Sequence, residues 1–567
     1  MREFVRTHIA RLPLEYRVLH RQFLLRVIDL EALSIEADIP RFLGQFAGVL
    51  MMISLVQALG TLMFPPPPAL YWHVEQSAVS RMMLVIGLIA VLTWDNIFPD
   101  RRDAMILGPL PVKPGIILLA KISASAGLLG IAILALNFAS SFSRSLVFGG
   151  AGGWLGIFRY FVSYWFTMVA SAAFLYGAVL TIQGTTAYLL PRRLFLRVSA
   201  FLQLAAFGVF LVAYFLAPSV DTHAQLATLG SRSPLAASPI LWFFALLNQC
   251  NGSLPAGALW LAQRAWIALA CAVAGATVSL LVCYLRTMRK TVEEPDLVPA
   301  GHAVRWMPKL GGSLQTAVLL FTLRSLRRSR QHRVVLALFL SIALAFSLHL
   351  LRQAPRWGAT TPMTTDFAMS TLWILVFSVL AFRAVFPLPI SLTANWVLRI
   401  TQLRPPQQYI AAVWRTLLLL AVLPAWLAAV SLSLSYRPFP QTAAHLAVLL
   451  ALGFIFADLS LIGFYKIPFT CSYVPGKSNF QFLFWTGLGV FILLMVFMLQ
   501  IEYPALHSPK QSAYLLLVLG GAAIVLRIFN HWQAKSAVLY FEEPVQEIII
   551  KLGLMQALPP APIAGKT

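Results

Sequence analysis

Of 567 residues, 59% are apolar and only 11% charged, too few charges to solvate the surface of an ordinary globular domain. Lysine and arginine outnumber the acidic residues 43 to 20, for a net charge of +23. These bases concentrate between apolar runs instead of forming a separate basic domain. That argues against nucleic-acid binding and for membrane topology with attraction to anionic lipid.

In chain order, the basic N-terminus (Met1, Arg2, Arg6, Arg11) leads into an amphipathic stretch, without the short apolar core and small-residue site of a cleavable signal peptide. Residues 1–41 are expected to be a cytoplasmic elbow region, with Leu14–Glu36 as a helix lying on the membrane surface. Residues 42–289 follow as a first transmembrane half. Its six predicted spans are Phe42–Phe64, Met82–Phe98, Ile116–Ala139, Phe158–Ile182, Val198–Ala217 and Leu259–Leu285, each near the length needed to cross a bilayer. Leu241–Leu247 is too short to span and is expected to be interfacial or re-entrant. The acidic, proline-bearing stretch from Lys290 leads through residues 290–333 to a second amphipathic helix, Ser313–Arg333. The second half, 334–529, carries Val334–Leu351, Phe367–Phe386, Ile410–Leu432, Ala444–Phe464, Phe482–Leu499 and Ala513–Phe529, and residues 530–567 form a cytoplasmic tail. Placing both ends inside puts most lysines and arginines on the cytoplasmic side, leaving Arg144, Arg232 and Arg437 in outside loops. The expected fold class is therefore an all-α polytopic membrane protein of about twelve transmembrane helices. Of the four cysteines, Cys271 and Cys283 lie inside a span, and Cys250 and Cys471 add no metal-site or disulfide-framework spacing.

The halves read as two six-helix pseudo-repeats. After the second span of each comes a matching segment, ILGPLPVKPGIILLAK (Ile106–Lys121) and ITQLRPPQQYIAAVWR (Ile400–Arg415). At one constant offset Ile106 matches Ile400, Pro111 matches Pro405, and Lys121 matches Arg415. TTAYLLPRRLF (Thr185–Phe195) resembles TCSYVPGKSNF (Thr470–Phe480) with one gap. An equal, even number of spans per half implies parallel repeats about an axis along the membrane normal.

Chemistry-bearing motifs are sparse. PGKS at Pro475–Ser478 has Cys471 where a phosphate-cradling loop needs glycine, and no strand precedes it, so it is not read as a nucleotide site. Asp100 and Asp103 in DRRDA are read as capping an ordinary basic inside loop; the opening glycine and closing Gly-Arg-Arg of the major facilitator loop are absent. Asp458, in LGFIFADLSLIGF, is the clearest intramembrane carboxylate and a candidate polar site. Its competing reading is a structural pair with Arg383 or Arg415. Asp95 is expected at the interface, and Arg264 and His349 are expected to snorkel from outer span ends. No zinc helix, paired-carboxylate signature or nucleophile elbow is visible, so an enzyme is not expected.

Two six-span halves, each with a surface helix before its first span and an amphipathic segment after its second, resemble a permease of the ABC-2 exporter type. DRRDAMILGPLPVKPGIILLAK, RVIDLEALSIEADIPRFLGQF and KIPFTCSYVPGKSN are similar to segments of large bacterial members of that group. The resemblance implies a multi-pass protein of the bacterial inner membrane. It implies no cofactor in this chain, ATP being bound by a separate ATPase, in two copies, that powers export. It also implies paired coupling segments that touch that ATPase, one including Arg101, Arg102, Met105, Ile106, Leu107, Pro111 and Lys121, the other Ile400, Arg404, Pro405 and Arg415. Family members have six spans per chain, so this would be a fused pair. The alternatives are an ion-coupled secondary transporter, which needs several ionisable groups near the midplane, and a membrane-embedded enzyme or assembly scaffold. Asp458 and little else stands out in the spans, which counts against ion coupling.

Overall fold

The computed structural model describes residues 13–28, 39–67, 70–94, 101–107, 109–217, 226, 233–283, 311–353, 364–390, 395, 400, 404–433, 439–470, 480–506 and 508–539. Asp95, Asp100, the body of the central linker, PGKS and most of the C-terminal tail lie outside them, as do the side chains of Arg101 and Arg102. The described residues are helical, with no strand. The first half comprises α1 (Leu14–Ile28), α2 (Ile39–Met63), α3 (Tyr71–Leu92), α4 (Arg101–Leu107), α5 (Pro114–Gly149), α6 (Gly153–Leu189), α7 (Arg192–Phe215), α8 (Pro239–Asn251) and α9 (Leu259–Val278). The second comprises α10 (Ser313–Arg328), α11 (Arg330–Gln353), α12 (Thr365–Val385), α13 (Pro406–Leu417), α14 (Leu423–Ser433), α15 (Phe439–Ser460), α16 (Phe480–Ala505) and α17 (Pro509–Lys535). Proline opens α5, α8, α13 and α17, where its missing N–H costs no helical hydrogen bond.

Among the described residues, ten stretches are long and apolar enough to cross a membrane. One of them, Pro114–Leu189, is folded back on itself at Gly150–Gly153 into α5 and α6. The turn needs glycine: Gly153 has φ +62, and a Cβ at Gly149 would sit 2.7 Å from the Gly156 carbonyl oxygen. This corrects the expected outside loop after Ala139. The helix runs ten residues further, and its serines satisfy their hydroxyls on its own carbonyls, Ser141 on Phe138 and Ser145 on Ser141. Gly489–Ala505, the C-terminal part of α16, is a shorter apolar stretch.

Each half packs around one central helix. In the most apolar window of α3, 67% is buried, and in that of α12, 72%. Only 17% is buried in α2 and in α17, so those two present apolar flanks such as Met52, Val56, Leu517 and Ile528 outward. A band of that kind needs lipid to cover it. α3 contacts α5, α6, α7 and α8; α12 contacts α11, α14, α15 and α16. The halves meet where α7 lies against α11. There the Phe215 and Phe346 rings are 4.3 Å apart, and His349 Nδ1 lies 2.9 Å from the Phe215 carbonyl oxygen. His349 is thus a joint between halves, where a snorkelling side chain was expected. α8 is wedged against α3, α6 and α9, with Leu241, Phe243, Phe244, Leu246 and Leu247 sealed from solvent by protein.

Candidate functional site

The short helix α4 is held from below. Asp103 points inward, and Lys121 of α5 reaches it at 2.5 Å, both side chains almost fully buried. The Lys121 ammonium also stands 5.1 Å above the Phe23 ring of α1. Around the pair, Phe23, Ile117, Ala120 and Ala124 form a small core with Leu107 and Val112 against it. Tyr16 donates to the Ser123 hydroxyl at 2.8 Å, and His20 Nδ1 lies 2.9 Å from the same oxygen, which fastens α1 to α5. Elsewhere on α4, Met105 is 64% and Ile106 59% exposed. Leu107 is half-buried, and Pro111 is exposed. Lys121 is therefore an internal strut, unable to touch a partner as the sequence reading had it.

In the second half Ile400 is 71% exposed. Arg404 and Pro405 are exposed at the start of α13, where Arg404 reaches the Ser313 hydroxyl of α10 at 3.3 Å. Arg415, the sequence counterpart of Lys121, is exposed. The two matched bases thus have opposite surroundings.

Asp458 is buried in α15, and α17 supplies its partners. Arg527 reaches Asp458 Oδ1 at 3.3 Å, and Asn530 Nδ2 donates to the same oxygen at 2.9 Å and to the Asp458 carbonyl at 3.0 Å. The Arg527 guanidinium also stacks 3.8 Å over Trp414. The structural pair is thus made with Arg527, where Arg383 or Arg415 was expected. Arg383 instead donates to the Ser460 carbonyl at 2.6 Å and lies over Phe464. The helix α17 continues through Lys535, six residues beyond the last predicted span, and so brings Asn530 into place.

Two polar groups inside spans escaped the sequence reading. In the first half, Glu75 of α3 accepts from Asn248 at 3.4 Å, with Tyr160 and Arg144 facing it. Arg144, placed outside by the sequence reading, is 2% exposed and donates to the Val74 carbonyl at 3.0 Å. Beneath it Tyr164 donates to Asn137 at 2.8 Å. In the second half, His445 of α15 has Nδ1 2.6 Å from Glu502 Oε1 and Nε2 2.8 Å from the Thr371 hydroxyl, with His445 and Thr371 0% and Glu502 1% exposed. Glu502 Oε2 has no hydrogen-bond partner among the described residues. The hydroxyl, imidazole and carboxylate follow the order of a nucleophile relay. No substrate reaches this one, because Thr371 is sealed and donates to the Ala368 carbonyl at 2.8 Å. These groups lay at the ends of the predicted spans or between them, so a scan for charges at span centres passed over them.

No protein-family model matches the chain, and no curated protein and no solved structure matches it.

Proposed function

We propose that this chain is the membrane-spanning permease of a transporter, built from two six-helix halves. Twelve spans follow if α5 and α6 are counted singly and α16 is taken as crossing, and both termini then lie in the cytoplasm of a bacterial cell. Energy comes from a separate ATPase that binds at α4. The observation that supports this reading is the α4 edge: two large apolar side chains, Met105 and Ile106, stand out from a seven-residue helix. A buried ion pair anchors that helix to the long helix α5. A push on such an edge moves α5 as a lever, because the pair lies where displacement would leave charges desolvated.

The test is affinity purification in mild detergent of the wild type and of Met105→Asp with Ile106→Asp. The expected result is an ATPase in stoichiometric amount with the wild type and lost from the variant, whose elution and melting are unchanged. A wild-type preparation that carries no ATPase under conditions preserving known complexes would sink this reading.

A second reading, transport coupled to an ion gradient, is favoured by the buried His445–Glu502 pair and the unpartnered Glu502 oxygen. It predicts that the pair takes up a proton during the cycle. Infrared spectra in the carboxyl-stretch region should then contain a protonation-dependent band that vanishes in Glu502→Gln. Absence of that band from the wild type would count against it.

A further inference from the structure

The second elbow helix, α10, buries Val318, Leu319, Thr322 and Leu326 on the bundle. Its other side borders a cavity of about 1140 Å³. Leu320, Phe321 and Ile390 give this groove apolar walls, while Arg324 and Arg328, one helical turn apart, line the same space. Ser325 and Ser329 also line it, the Ser329 hydroxyl lying 2.5 Å from His332 Nδ1, and no acidic side chain occurs among its described lining residues. At Ser329 the backbone turns extended (φ −83, ψ 122), and the chain continues directly into α11, which carries the apolar stretch Gln331–Arg352. The groove therefore opens beside the basic end of a span, at the level where headgroups meet acyl chains.

A free anion would use the two guanidiniums but gain nothing from the apolar walls. A neutral lipid would use the walls but leave the guanidiniums without a counter-charge. We propose that this groove is a site for an anionic phospholipid of the cytoplasmic leaflet. The headgroup phosphate binds at Arg324 and Arg328, and the chains lie along Leu320, Phe321 and Ile390. The proposal rests on reading α11 as a membrane span, which extraction with alkaline carbonate checks separately.

The experiment titrates purified full-length protein in neutral detergent with a fluorescent-tailed phosphatidylglycerol, and in parallel with the phosphatidylcholine analogue. The expected result is tighter binding of phosphatidylglycerol, weakened about five-fold by Arg324→Gln or Arg328→Gln, at about one interfacial charge each. Arg327→Gln makes the same charge change on the exposed part of the helix, away from the groove, and should leave the affinity unchanged. Ile390→Trp, which fills the apolar side without altering charge, should also weaken binding and serves if an arginine variant fails to fold. Equal affinity for both lipids would overturn the proposal. So would an equal loss in Arg327→Gln, or displacement by inorganic phosphate alone, which would mark a simple anion site.

Discussion

Lys121 and Asp103 form an ion pair 2.5 Å long in a pocket closed by α1, although both residues border segments that the sequence presents as basic loop. Breaking such a pair leaves one charge buried alone, at a cost of about 3–5 kcal/mol. Lys121→Met or Asp103→Asn should therefore lower the stability of the solubilised protein by that order, and the pair Lys121→Met with Asp103→Leu should recover most of it. Unfolding in mixed micelles measures both. Single variants as stable as the wild type would remove the strut.

The His445–Glu502 contact should behave as a coupled unit. His445→Leu and Glu502→Leu each strip a hydrogen bond from a buried partner, worth about 1–3 kcal/mol. The double variant should cost less than the sum, with a coupling energy of about 0.5–3 kcal/mol. Strict additivity in the same unfolding assay would show that the two side chains do not interact.

Asp458 should be more forgiving than Lys121. Its partner Arg527 is 31% exposed and keeps its stack over Trp414 when the carboxylate is lost, so it is not left fully buried and alone. Asp458→Ala is expected to cost about 1–3 kcal/mol, less than either single change in the buried pair. Arg527→Lys keeps the charge but gives up the planar stack over Trp414, worth about 0.5–1 kcal/mol, and should shift tryptophan emission. A larger loss for Asp458→Ala than for Lys121→Met would reverse the order argued here.

Cys250 lies in the half-buried last turn of α8, where burial raises its thiol above the ordinary range and the Arg159 charge offsets this only in part. A raised value means less thiolate at neutral pH, hence slow reaction. Maleimide labelling of a Cys250-only variant should be slower than that of an unfolded thiol near neutrality. It should accelerate with rising pH until it passes the raised value. A rate equal to the unfolded thiol at pH 7 would contradict the burial.

Much of this protein was written in its composition. Apolar runs such as Phe367–Phe386 are long enough to cross a bilayer, and scarce charge leaves no other solvent for them, so helices were the only way to satisfy their backbones. The basic stretches ahead of the two halves were legible as helices, and α1 and α10 begin at Leu14 and Ser313, where the predicted stretches begin. Met105 and Ile106, which the resemblance placed on a coupling segment, are exposed on α4.

Partnership was not legible, because it depends on which helix lies beside which. Asp458 finds Arg527 on α17 instead of Arg383 or Arg415, since tertiary packing brings α15 against α17. Lys121 and Arg415 occupy matched places in the sequence. Yet one is drawn into a pocket by Asp103 and Phe23 while the other remains exposed. Arg144 looked like a loop residue, but α5 continues past it and buries it near Glu75. The sequence determines which side chains cannot face lipid unpaired. Only the packed helices decide with what they pair, because a charge leaves water at tolerable cost only where a partner already stands.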